Sequence, residues 1–144
     1  MTDRVTYHVL SRENAAMLDK AEAFDNAVDP EQLKTFVSRT GHELVFARLG
    51  DRVIGFASGN VLLHPDKPPV FFINEVGVLR DMRRQGIASA LCRKLIQQAR
   101  GAGCQGIWLA TEKENDAARA LYHSLRARET GGIVVYDWDD AMGA

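Results

Sequence analysis

Apolar and polar residues along this chain follow two periods, and the switches between them predict a series of strands and helices. "RVTYHVL", Arg4 to Leu10, alternates and is rich in β-branched side chains, which predicts a first strand. Met17, Leu18, Ala21 and Phe24 then recur at helical spacing behind Ser11, a candidate N-cap. A helix is therefore expected over about Asn14 to Phe24. Asp29-Pro30 opens a second, short helix with proline at its first position. Leu33, Phe36 and Val37 lie on its buried side, and Gly41 ends it.

"ELVFARLGDRVIGFASGNV" predicts a hairpin, two apolar runs flanking the turn Gly50-Asp51. "HPDKPP", His64 to Pro69, is a stiff polar connector. "VFFINEVGVL" follows as a strand of nearly unbroken apolarity, interrupted by Asn74, Glu75 and Gly77. From about Arg84 to Ala102 the period returns to that of a helix. Ile87, Ala88, Leu91, Cys92, Leu95, Ile96 and Ala99 fill one half of its wheel, and Arg93, Lys94, Gln97 and Arg100 the other. Gly101 and Gly103 end it. "GIWLAT" reads as a short buried strand, Asp116 to Leu125 as a helix entered through Asn115, and "GGIVVYDWD" as a closing strand. The order β-α-α-β-β-β-α-β-α-β predicts one α/β domain over residues 1–144, with a mixed sheet. Hairpin-linked strands must be antiparallel, and a strand–helix–strand unit parallel.

Composition narrows the function classes. A 46% apolar and 26% charged chain is globular, and a net charge of −1 gives no global attraction for nucleic acid or an anionic membrane. Any electrostatic recognition must be local. Two cysteines, Cys92 and Cys104, form neither a disulfide framework nor a zinc spacing, and no His/Cys/Asp cluster implies a metal. No secretory signal and no membrane-length apolar run is seen, so a cytoplasmic setting is expected.

The candidate chemistry sits at "RRQGIA", Arg83 to Ala88, between a strand and a long helix. The first N–H groups of a helix lack partners inside it, and the helix dipole adds positive charge there. Gly86 and Ala88 leave the backbone approachable, while Arg83 and Arg84 add charge and forked donors. On these residues alone, a phosphate cradle and a solvated basic turn are both open. Glu75 is a second candidate, because an acid interrupting an apolar strand is exposed or functional.

"VLRDMRRQGIASAL" resembles the acetyl-CoA-binding motif of the GNAT family of N-acetyltransferases, Gln/Arg-x-x-Gly-x-Gly/Ala, at Arg83, Gly86 and Ala88. "NDAARALY" matches a second signature of that family, Asn-x-x-Ala-x-x-Leu-Tyr, with Asn115, Ala118, Leu121 and Tyr122. The resemblance implies the GNAT (acyl-CoA N-acyltransferase) fold, a central mixed, largely antiparallel sheet flanked by helices. It implies acetyl-CoA as cosubstrate. Its pyrophosphate would lie on the backbone of Arg84, Gln85, Gly86, Ile87, Ala88 and Ser89. Its pantetheine arm would run beside Val76, Gly77 and Val78, where the strand must part from "GIWLAT". Asn115 and Ala118 belong to the same cofactor-binding set. Direct transfer is implied, with Glu75 as general base or as a substrate-positioning group, and Tyr122 as the acid that protonates the departing thiolate. His64 and His123 are given no role.

"EAFDN", "FINEVGVLRDMRRQGIASAL" and "ARALYHSLRARE…VYDWD" are more closely similar to the type I aminoglycoside 3-N-acetyltransferases. That likeness implies a polycationic aminoglycoside as the small-molecule acceptor, antibiotic resistance as the outcome, and no nucleic-acid or membrane partner. Acids are available to attract such a substrate: Glu22 and Asp25 on the first expected helix, Glu75, Glu112 with Glu114, and Asp137 and Asp139 on one face of the last strand. Another small amine, a protein N-terminus, or a non-catalytic acyl-CoA-binding module are the alternatives. Members of the family are frequently dimers, and apolar residues of the last strand offer a surface for a homodimer. The chain departs from the family at Arg126-Ala127, where glycine and an apolar residue commonly follow.

Overall fold

The computed structural model describes residues 4–138. The chain forms two compact units, Met1–Ala110 and Thr111–Ala144. The first unit holds five strands, β1 (Val5–Val9), β2 (His42–Leu49), β3 (Arg52–Leu62), β4 (Val70–Val78) and β5 (Gly106–Trp108), in the spatial order β1-β2-β3-β4-β5. The first four are antiparallel neighbours, and β4 and β5 run parallel. The hairpin closes where expected: Leu49 pairs with Arg52 across Gly50-Asp51, and Gly50 supplies a φ of +60°.

Helix α1 (Pro30–Ser38) starts because the Asp29 carboxylate accepts from Glu31 N–H at 2.9 Å and Gln32 N–H at 3.3 Å, with proline behind it. It ends at Ser38, short of Gly41. Gly41 turns the chain with φ +91°, and its carbonyl accepts from Val61 N–H at 2.8 Å. Helix α2 (Ile87–Gly101) buries Ile87, Leu91, Cys92, Leu95 and Ala99 along one stripe. Against them, one sheet face presents Val45, Ala47, Ile54, Ala57, Phe71 and Ile73. A fully buried leucine such as Leu91 contributes about 1.5–3 kcal/mol relative to exposure. The other sheet face presents Leu44, Phe46, Val53 and Phe56 to Leu18, Ala21 and Phe24, with Leu33 and Phe36 of α1.

Besides β5, which covers only Gly106–Trp108 of "GIWLAT" and leaves Trp108 exposed, two elements depart from the sequence expectation. The helix expected over Asn14–Phe24 is only a short 3-10 turn, Ala15–Leu18. The Asn14 side chain accepts from Ser11 N–H at 2.8 Å and donates to the Val9 carbonyl at 2.9 Å, which ties it to the preceding turn. Leu18 and Ala21 are still buried, and Phe24 stacks on Phe56 at 4.1 Å. The apolar spacing is a burial signal, and irregular chain satisfies it. Glu22 and Asp25 therefore lie on a loop rather than a helix.

The second departure is the closing strand. Among the described residues, Gly131–Trp138 form no strand, and Ile133, Val134, Val135, Tyr136 and Trp138 are all exposed. β-branched residues confer the capacity for a strand, but a strand exists only with a ladder partner. The expected shared face of Asp137 and Asp139 is thus not formed at Asp137, and Asp139 lies outside the described residues. No helix among the described residues is long and apolar enough to cross a membrane.

In the second unit, α3 (Asp116–Ser124) is capped by Asn115, whose side chain accepts from Ala118 N–H at 3.1 Å. Its end explains the departure at Arg126-Ala127. Ala127 N–H bonds the Tyr122 carbonyl at 3.0 Å and Arg126 N–H the His123 carbonyl at 2.9 Å, a Schellman closure. Arg126 must then take φ +66°, the left-handed conformation that glycine adopts without strain. Arg119 holds the following segment through a forked pair to Glu129 at 2.9 and 3.1 Å. Arg126→Gly should stabilise the protein by about 1 kcal/mol in a urea melt. A destabilised variant would show that the arginine side chain, not the backbone, governs this turn.

Candidate active site

The register between β3 and β4 determines where Glu75 points. Ser58 pairs with Glu75 but Gly59 pairs with Ile73, so Asn74 is an extra residue in β4, a β-bulge. Phe71 and Ile73 before the bulge face α2, and so do Val76 and Val78 after it. Strict alternation from Ile73 would have sent Glu75 to that same face. The bulge turns it to the opposite one, and Gly77 with it. A Cβ on Gly77 would meet Phe56 Cε1 at 2.9 Å and the Ala23 carbonyl oxygen at 3.1 Å. Only glycine lets that layer pack against the strand.

Glu75 enters a cleft of about 330 Å³ on this face. Leu18, Phe24, Phe36, Leu44 and Phe56 wall it, and Asp25, Asp29 and Ser58 add polar groups. Asp29 is engaged in capping α1, so Asp25 and Glu75 are the carboxylates left to meet a ligand. Ser58, the register partner of Glu75, is buried among apolar neighbours. Its only sequence signal is a hydroxyl inside the apolar run of β3.

At the same level β4 changes neighbours on its other edge. Its pairing with β5 covers Val70–Phe72 and stops at Trp108, while β4 continues to Val78. The strands therefore part there, leaving the backbone of Val76, Gly77 and Val78 without a β5 ladder.

The chain then passes a 3-10 turn, Arg80–Met82, and enters α2 through Gly86. Arg84 and Gly86 both have positive φ, +64° and +76°. A non-glycine residue in this region is strained, and such strain concentrates at binding turns. No side chain caps α2 and its first turn holds no acid, so the N–H groups of Ile87, Ala88 and Ser89 have no acceptor in the helix. A Cβ on Gly86 would meet nothing within 4 Å, so this helix end is open to a ligand. Arg83 has a structural duty as well, donating Nε–H to the Val78 carbonyl at 3.1 Å. That bond folds the turn back onto the strand.

Six further candidates remain. Glu22 does not line the cleft; its charge acts on Arg52, which grips Asp81 through a forked pair at 2.9 and 3.2 Å. That guanidinium holds the Asp81 carboxyl below the usual range. Glu112, Asn115, Ala118, Tyr122 and Asp137 belong to the second unit, where Tyr122 is half-buried on α3 and Asn115 serves as its cap. Cys92 is a poor nucleophile, because burial pushes its thiol up to about 11.

The model of the acetyltransferase (GNAT) family matches residues 9–126. Among relatives, the N-alpha-acetyltransferase RimI of Mycobacterium tuberculosis is 29% identical over 90% of this chain and 82% of its own length. The ribosomal-protein-bS18-alanine N-acetyltransferase of Escherichia coli K12 is 33% identical over 69% of this chain and 66% of its own. An L-2,4-diaminobutyric acid acetyltransferase of Methylotuvimicrobium alcaliphilum is 25% identical over 76% of this chain, which spans 66% of that enzyme. The fold is shared with an aminoglycoside acetyltransferase from an uncultured soil metagenomic sample, solved with sisomicin, at a TM-score of 0.79 and 18% identity over 93% of this chain and 95% of that one. It is also shared with a ribosomal-protein-alanine N-acetyltransferase of Brucella melitensis, at 0.70 and 20% over 94% and 99%.

Aspartate tolerates the left-handed φ of Gly86 better than most residues, so Gly86→Asp should fold with little change in thermal stability. Its carboxylate would repel a phosphate at the helix end. Calorimetry should find acetyl-CoA affinity reduced at least about 100-fold, the size of two charge-assisted hydrogen bonds. Unchanged affinity would remove the cradle from acetyl-CoA binding.

Proposed function

The chain belongs to the acetyltransferase (GNAT) family, and we propose that it transfers an acetyl group directly from acetyl-CoA to a primary amine of a polycationic small molecule of the aminoglycoside type. The observation that carries this reading is the double change at one level of β4. The bulge at Asn74 turns Glu75 into the cleft, and the opposite edge of the strand loses its β5 ladder after Phe72. An acceptor entering the cleft and a thioester on the strand edge would meet there, with a carboxylate at the meeting point.

Acetyl-CoA supplies an activated carbonyl. The residues that fit it are the free N–H groups of Ile87, Ala88 and Ser89, with Arg84 and Gln85 in the same turn, for the pyrophosphate, and the edge at Val76–Val78 for the pantetheine arm. Glu75 takes a proton from the incoming ammonium, directly or through water. The freed lone pair attacks the carbonyl carbon, the C–S bond breaks as Tyr122 gives a proton to the departing sulfur, and the second proton shed by the acylated nitrogen restores the phenol through solvent. The roles of Tyr122, Asn115 and Ala118 rest on the motif resemblance. Asp25, across the cleft from apolar walls, would hold a further ammonium of the acceptor. Acetylation removes one positive charge from such a molecule, which makes antibiotic resistance the cellular consequence.

A second reading has a specific observation behind it. Leu18, Phe24, Phe36 and Phe56 make the cleft apolar as well as acidic, which suits a peptide N-terminus with an apolar first side chain, and two relatives are by name an N-alpha-acetyltransferase and a ribosomal-protein-bS18-alanine N-acetyltransferase. Free-thiol release from acetyl-CoA across aminoglycosides, diamines and N-terminal peptides separates the two. The proposal expects turnover with gentamicin-like amines, a fall in kcat of about 100-fold or more for Glu75→Gln, and a fall for Tyr122→Phe at unchanged acetyl-CoA affinity. Turnover confined to peptides would overturn the acceptor, and an unaltered rate in either variant would remove that residue's role.

A further inference from the structure

Phe72 and Trp108 form an aromatic pair that neither hydrophobic cluster takes up. They are register partners across β4 and β5, their ring centroids are 4.4 Å apart at 43°, and Trp108 is 52% exposed. This exposure corrects the expectation of a strand buried throughout at "GIWLAT". Phe71, Ile73 and Ile107 beside them pack towards α2. By alternation Phe72 and Trp108 stand on the opposite face, the one to which the bulge turns Glu75.

Two amides lie on the same face. Asn60 pairs with Phe72 in register, and Asn74 donates Nδ2–H to Asn60 Oδ1 at 3.1 Å. Along β4, Phe72 precedes Glu75 by three residues, a span of roughly 10 Å or less in extended chain. An indole face offers a flat apolar surface with a negative π-cloud, suited to the C–H face of a saturated ring or to an ammonium. The amides supply a donor and an acceptor for hydroxyl groups beside it. The distance to Glu75 is that of one ring beyond a reacting amine.

We propose that Phe72 and Trp108, with Asn60 and Asn74 beside them, form a second acceptor subsite: a platform for an ammonium-bearing saturated ring next to the ring that presents its amine to Glu75. The inference rests on the amine-acetylating reading and deepens it, because it selects acceptors of two or more rings over single-ring amines. Asp25 and Glu75 attract charge, whereas this patch measures length.

The test compares neamine, which has two rings, with 2-deoxystreptamine, which has one. Trp108→Ala should lower the ratio of their kcat/KM values about five-fold, the size of one exposed cation–π contact, and Trp108→Phe should restore most of it. An unchanged ratio, or an effect expressed as a raised KM for acetyl-CoA, overturns the platform. A second measurement needs no turnover. In Trp138→Phe, Trp108 is the one tryptophan left of the two in the chain, and neamine should shift its emission where 2-deoxystreptamine does not. Emission that ignores neamine overturns the subsite. An emission shift without any acetyl transfer would uphold the subsite and sink the catalytic reading instead.

Discussion

A strand inside a sheet satisfies its backbone from both sides, and β4 does so only as far as Phe72. Beyond that residue one edge must find another partner, and on the other edge an extra residue, Asn74, breaks the alternation with β3. The two irregularities depend on one another physically. A bulge bends and twists its strand, and a bent strand leaves a straight neighbour. From this follow the free edge at Val76–Val78 and the rotation of Glu75 away from the α2 core. Gly77 follows as well, since the layer at Phe56 and Ala23 approaches too closely for any side chain.

The turn into α2 continues the same logic. Arg83 bonds back to the Val78 carbonyl and fixes where the strand ends. Left-handed backbone at Arg84 and Gly86 then aims the helix N-terminus with its N–H groups uncapped. Strain on the order of 1–2 kcal/mol at Arg84 is tolerated in a chain whose α2 stripe is fully buried against the sheet. A net charge of −1 would be no obstacle to the proposed pyrophosphate seat, because its attraction would come from local dipoles and two arginines.

Much of this is legible in the residues. Periodicity locates every strand of the sheet, the three α-helices and the hairpin turn, because these depend on local spacing and on Gly50-Asp51. "RRQGIA" marks the helix entry for the same reason. The limits have physical causes too. Met17, Leu18, Ala21 and Phe24 carry a helical spacing, but burial can be met without a helix, and the Asn14 side chain closes a turn instead. The run Ile133 to Trp138 has strand composition, but composition does not supply a ladder partner. Glu75 is visible as an anomaly, yet its direction depends on a register shift that only pairing with β3 reveals. Ser58 and the Phe72–Trp108 pair are hidden likewise, since they acquire meaning only from what stands opposite them.

The central claim is that the free edge of β4 and the N-terminus of α2 form one seat for acetyl-CoA. Backbone amide shifts of 15N-labelled protein during a coenzyme A titration test it most directly. The largest changes should fall together on Val76, Val78, Ile87, Ala88 and Ser89, with one common affinity. Shifts that leave these amides unmoved, or that divide between the strand and the helix with separate affinities, would contradict it.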